Sequence, residues 1–152
     1  MIEYKKAKLS DIASMQKLVA PEVESGIILD RADDEIATNI RSYTLAINKN
    51  ELVGFCALHV HSASLAEIRS LVIKDGFRGQ NIGSGLINKV LLEGNDLGLQ
   101  KVLSLTYKKE FFEKLGFVEI PKESLPEHKI WADCIKCKHF PVCNEVSLIK
   151  NL

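Results

Sequence analysis

Three groups of residues in this 152-residue chain have types and spacings that could do chemistry. The first is Arg78-Gly79-Gln80-Asn81-Ile82-Gly83-Ser84-Gly85, between an apolar run and a stretch of helical periodicity. A turn that enters a helix can aim several backbone N–H groups at one anion, and the helix dipole adds to the attraction. Glycines at 79, 83 and 85 let the backbone approach a pyrophosphate with no side chain between, while Arg78 and Gln80 can add donors. Glycine inside a helix costs roughly 1 kcal/mol relative to alanine, so Gly83 and Gly85 in the first turn ask for a compensating reason. The alternative is a glycine-rich connection that binds nothing.

The second group is titratable. On a strand with period two, Leu65, Glu67, Arg69 and Leu71 share a face, which makes Glu67 a candidate general base beside a cation. The plain alternative is an exposed Glu67–Arg69 pair, worth little. His59 and His61 share a face with Phe55 on the preceding run and are competing bases, because imidazole titrates near neutral pH. Either could equally be a hydrogen-bonded structural histidine. The third group is Cys134-x-x-Cys137 with Cys143, three thiols at short spacing that His139 or His128 could complete into a tetrahedral zinc site. Reduced thiols packing a short tail fit as well, so no metal is assigned. Cys56, between Phe55 and Ala57, reads as a small core residue.

The elements around these groups follow from periodicity and turn signals. Ile2 to Ala7 predicts a strand, and Ser10 caps a helix carrying Ile12, Met15, Leu18 and Val19 until Pro21 and Gly26 break it. A second helix is expected from near Ala32 to about Arg41. Tyr43 to Ile47 and Leu52 to His61 predict two strands around the turn Asn48-Lys49-Asn50-Glu51, and Leu65 to Ile73 a third. Ile82, Leu86, Ile87, Val90 and Leu91 form the stripe of a helix that ends at Gly98. A strand from Lys101 to Leu105, a short helix through Phe111, Phe112 and Leu115, and a possible edge strand from Val146 to Ile149 complete the order. The pattern implies an α/β protein, more narrowly an α+β mixed sheet, with helices on both faces.

Composition sets outer limits. Lysine plus arginine (20) equals aspartate plus glutamate (20), so no overall field favours nucleic acid or an anionic membrane. No apolar run could span a bilayer, and the first residues lack a secretory signal. A cytoplasmic protein is expected, one domain over residues 1–152 with a cysteine-containing tail from about residue 121.

Gln80-x-x-Gly83-x-Gly85 resembles the coenzyme A signature Q/R-x-x-G-x-G/A of the GNAT superfamily of N-acetyltransferases. Phe112-Glu113-Lys114-Leu115-Gly116-Phe117 resembles a second element of that family, the late helix ending in a Gly-Phe pair. The resemblance implies the GNAT acyl-CoA N-acyltransferase fold, acetyl-CoA as cosubstrate, and a pantetheine arm lying in a gap between two splayed strands against Leu71, Val72 and Ile73. It implies pyrophosphate contacts from Arg78, Gly79, Gln80, Asn81, Gly83 and Ser84, with Gly85 closing the signature and Phe112 beside the coenzyme. A backbone N–H, that of Val72, is expected to hold the oxyanion. Many relatives carry a tyrosine acid where Phe112 stands, which leaves Tyr107 as the candidate acid or else a packing or substrate-binding residue.

A narrower resemblance rests on Leu125-Pro126-Glu127-His128-Lys129-Ile130-Trp131-x-Asp133-Cys134-x-x-Cys137, on Gly26-Ile27-Ile28-Leu29-Asp30-Arg31 and on Leu105-Thr106-Tyr107. These runs resemble the short single-domain bacterial N-acetylglutamate synthases. They imply acetylation of the α-amino group of glutamate, or of glutamine, in arginine biosynthesis. Arg31 and Arg69, with Lys108 as a weaker third, are the cations for a dicarboxylate; each could instead be a solvated surface charge. The same fold acting on another small amine or a protein N-terminus, and a non-catalytic acyl-CoA sensor, stand as rivals. A homodimer is left open.

Overall fold

Lys49 and Asn50 turn the chain with φ of 49° and 66°, joining Tyr43–Asn48 to Glu51–Val60 as a hairpin. These are β2 and β3, and Ile2–Lys6 (β1) and Leu65–Ile73 (β4) extend them on either side, all antiparallel. Lys101–Thr106 (β5) joins β4 in the one parallel pairing among the described strands. Val146–Asn151 (β7) lies between β5 and the three-residue Val118–Ile120 (β6), giving the order β1-β2-β3-β4-β5-β7-β6. The structure, a computed structural model, describes residues 1–121, 124 and 145–152. Cys134, Cys137, Cys143, His128, His139 and the motif from Leu125 to Cys137 therefore lie outside the described residues.

Helices cover both faces. Ile12–Glu24 (α1) and Asp33–Thr38 (α2) bury Met15, Val19 and Ile36 against Leu45, Phe55, Ala57 and Val72. Ile82–Leu97 (α3) and Lys109–Lys114 (α4) bury the expected stripe of Ile82, Leu86, Ile87, Val90 and Leu91, with Phe112, against Ala46, Cys56, Leu58 and Ile68. Apolar side chains leaving water on both sides of one sheet supply the main stabilisation, about 25 cal/mol for each Å² buried.

Three boundaries differ from expectation. Pro21 does not end α1; the helix continues to Glu24, giving up only the bond that a proline nitrogen cannot make, and stops before Gly26 at φ 79°. The second helix is shorter, followed by a separate 3-10 turn at Ile40–Ser42. The strand expected at an edge is interior: β7 pairs with β5 from Thr106↔Val146 to Lys101↔Asn151 and with β6 on its other side. Leu148, with no exposed surface, completes the core there.

Candidate active site

The site begins with a defect in β4. Phe55 pairs with Val72 and Ala57 with Arg69, so Ser70 and Leu71 together stand opposite Cys56 alone. That is a β-bulge, and Ser70 takes it up at φ 57°. The bulge inverts the alternation. Glu67 and Arg69 face the α1 side, Val72 joins that same core, and Leu71 and Ile73 turn to the α3 side. Leu71 therefore does not share a face with Glu67 and Arg69, as unbroken alternation would have it. Pairing between β4 and β5 also ends early, at Ile68↔Ser104, although β4 continues to Ile73 and β5 to Thr106. The two strands part there, and the expected gap exists.

Directly beyond β4 comes the turn into α3. Gly79 and Asn81 adopt φ of 79° and 64°, and the first helical bond runs from the Gly85 N–H to the Asn81 carbonyl at 3.0 Å. Among the described residues, no protein acceptor takes the N–H groups of residues 79–84. These donors lead a 16-residue helix, an arrangement suited to a pyrophosphate. The side chains contribute less than expected. The Arg78 guanidinium meets Glu22 at 2.9 Å and Asp75 at 3.2 Å, and Gln80 donates to the Gly76 carbonyl at 3.3 Å. Gly85 has a different purpose from the one expected. A Cβ there would lie 2.0 Å from the Tyr4 hydroxyl, so this glycine admits β1's ring against α3 and leaves no backbone donor for an anion. At Gly83 a Cβ would meet the Phe111 ring at 3.3 Å.

On the other side of the gap the titratable residues converge. Glu67 is 2% exposed, and its Oε1 shares a hydrogen bond with His61 Nε2 at 2.9 Å and accepts from Arg69 Nε at 3.2 Å. Sequence alone offered His61 and Glu67 as rival bases; the fold joins them. The rings of His59 and His61 meet edge to face at 4.9 Å. Register explains the cluster: Tyr43, Ala57 and Arg69 are successive cross-strand partners, and so are His59, Glu67 and Leu103. Burial raises the Tyr43 phenol above its ordinary value, Arg31 pulls it down, Glu35 pushes it up and Arg69 pulls it down, so both arginines act at this hydroxyl. Arg31 also meets Glu35 Oε2 at 2.6 Å. Tyr43 and Glu35 escaped the sequence reading, though Arg31 and Glu35 at helical (i, i+4) spacing were a legible signal.

One further expectation changes, and two residues are placed. Phe112 is 2% exposed, stacked edge to face with Phe111 at 5.1 Å and Phe117 at 5.2 Å, so it belongs to the core; Phe111 is the ring beside the helix entrance. Tyr107, 41% exposed, follows β5 directly at the opened end of the sheet. Lys108 precedes α4, and its N–H donates to Thr106 Oγ1 at 2.9 Å. Among the described residues no group of three or more His, Cys, Asp and Glu side chains could hold a metal. No described helix is long and apolar enough to cross a membrane.

Residues 39–119 match the Acetyltransferase (GNAT) domain, more than half of the chain. The chain belongs to the GNAT acetyltransferase family. It is an N-acetyltransferase with acetyl-CoA as cosubstrate. An uncharacterized N-acetyltransferase of Chlorobaculum tepidum is 34% identical over 96% of this chain and 94% of its own. An amino-acid acetyltransferase of Mycobacterium tuberculosis is 31% identical over 76% of this chain and 68% of its own. In fold, the acetyltransferase superposes on an N-acetylglutamate synthase of Neisseria gonorrhoeae, complexed with coenzyme A and N-acetyl-glutamate, with a TM-score of 0.88 at 22% identity. All of this chain is covered there, but only 35% of that longer one.

Proposed function

We propose that this acetyltransferase moves the acetyl group of acetyl-CoA onto the α-amino group of glutamate or glutamine. The observation that carries the reading is a pair of arginines, Arg31 and Arg69, with side chains 12% and 11% exposed, around Tyr43 on the face that bears Glu67. An acidic amino acid needs fixed cations with little competing water, and guanidinium groups match carboxylates two bonds at a time. The names of relatives agree: one is an amino-acid acetyltransferase, and a fold neighbour was solved with N-acetyl-glutamate.

The chain's residues divide the work in this reading. The main-chain donors of residues 79–84 hold the pyrophosphate, and the unpaired edge of β4 receives the pantetheine arm. Only a neutral amine attacks a thioester, so the ammonium of the acceptor must first lose a proton, and Glu67 takes it, directly or through water. A backbone N–H at the bulge steadies the oxyanion, the Val72 N–H itself being turned toward Phe55 in the β3–β4 ladder, and Tyr107 supplies a proton to the departing thiolate, which Phe112 cannot do. One assay tests the acceptor: thiol release from acetyl-CoA with glutamate, glutamine, other amino acids and polyamines. Turnover is expected with glutamate or glutamine; turnover confined to non-acidic amines overturns the substrate, and none with any amine points to a sensor.

A further inference from the structure

Glu67 is not alone in its burial. His61, with its side chain 3% exposed, is as withdrawn from water as the carboxylate it bonds. The backbone fixes this imidazole: the His61 N–H donates to the Leu65 carbonyl at 2.9 Å and the Ser62 N–H to the same oxygen at 3.1 Å, where β3 hands over to β4. His59, the direct cross-strand partner of Glu67, leans on the His61 ring at 4.9 Å and 73°. Arg69 addresses the same carboxylate oxygen at 3.2 Å. Among the described residues, Arg69 also acts on Tyr43 of β2, together with Arg31 and Glu35. A buried carboxylate held between an imidazole and a guanidinium shares its proton chemistry with the imidazole.

We propose that His61 is a positioning residue: it makes Glu67 and itself one proton-holding pair, and this pair, not Glu67 alone, sets the pH dependence of acetyl transfer. The inference rests on the reading of Glu67 as the base. At the start, one proton lies between His61 Nε2 and Glu67 Oε1. The acceptor's ammonium gives up one proton and the pair gains it, ending as carboxylate with imidazolium or as carboxyl with imidazole. Its release to water restores the starting state, so no further reactant is needed. Arg69 keeps the carboxylate oxygen in place throughout but cannot take part, because a guanidinium does not give up its proton near neutral pH.

The test measures kcat, KM and their pH profiles for the wild type, His61→Gln and Glu67→Gln, with whichever amine gives the fastest thiol release. A glutamine amide can donate to Glu67 but cannot titrate. His61→Gln is expected to keep the wild-type melting temperature and acetyl-CoA affinity, to lose kcat on the order of tenfold or more, and to shift the acid limb of its profile. A profile and kcat that overlay the wild type overturn the proposal. Should His61→Gln unfold, His61→Asn decides in the same assays: a folded His61→Asn whose kcat and pH profile overlay the wild type refutes the pair. Inactive Glu67→Gln with wild-type-like His61→Gln removes this inference alone, whereas fully active Glu67→Gln removes the base assignment with it.

Discussion

Gly83 and Gly85 stand two residues apart in one motif, yet their surroundings predict opposite failures. A Cβ on Gly83 meets Phe111 Cζ at 3.3 Å, a few tenths of an ångström closer than comfortable contact, so Gly83→Ala should fold normally. Gly83→Val adds two carbons about 1.5 Å further out, and a helical Cβ tilts toward the N-terminus, where residues 79–84 offer their donors. Blocking one or two charge-assisted hydrogen bonds costs about 2–4 kcal/mol, roughly 30- to 1,000-fold in Kd for acetyl-CoA. On Gly85 a Cβ would lie 2.0 Å from the Tyr4 hydroxyl and 2.4 Å from Cζ, and the ring must move. Overpacking of about 1–3 kcal/mol, less the roughly 1 kcal/mol that alanine gains in a helix, leaves Gly85→Ala destabilised by up to about 2 kcal/mol. Its folded fraction should bind acetyl-CoA within about threefold of the wild type, because the Gly85 N–H is already bonded to Asn81. Calorimetric titration and thermal unfolding of the variants read both effects. Wild-type binding by Gly83→Val, or equal binding losses at the two positions, would refute this division.

Arg31→Gln and Arg69→Gln should each raise KM for glutamate by about 10- to 100-fold while leaving KM for acetyl-CoA unchanged, by steady-state kinetics; a coenzyme effect of the same size contradicts their role. Burial pushes the Cys56 thiol up to about 12, so it stays protonated near neutral pH. Peptide mapping should find it alkylated by iodoacetamide only after unfolding, and rapid labelling of the native protein would disprove this. Burial also holds Tyr43 above its ordinary 10.0, so the stability it contributes is complete below about pH 10 and is lost as pH rises through the folded-state value. Tyr43→Phe should therefore melt with a shallower alkaline decline than the wild type, and an identical decline counts against it.

Local pattern carried the sequence reading a long way. The limits of β4 and α3 agree with the spacing, because each is a run dense in apolar residues that ends at glycine or a polar turn. The turn at residues 79–84 was legible because glycine and asparagine mark left-handed backbone. What failed was what local pattern cannot hold. Ser70 carries no mark of a bulge, so unbroken alternation placed Leu71 on the wrong face. The entry of β7 between β5 and β6 is settled by long-range burial of Leu148, not by its own composition. Gly85 looked like part of the anion motif because its reason for being small, Tyr4, is 81 positions away along the chain. Phe112 and Phe111 exchange roles since only the docked helix decides which ring is inside.

The extra residue at Ser70 makes length a guarded property of the strand from Leu65 to Ile73, beside the identities of Glu67 and Arg69. Ahead of it Glu67 and Arg69 face the α1 side; behind it the parity is reversed, Val72 returning to that side while Leu71 and Ile73 close the opposite core. A point substitution there disturbs one side chain. Loss of Ser70 would leave Leu71, Val72 and Ile73 on the layers they already fill, but it would make the pairing with the neighbouring strand regular and remove the kink that the spare residue creates.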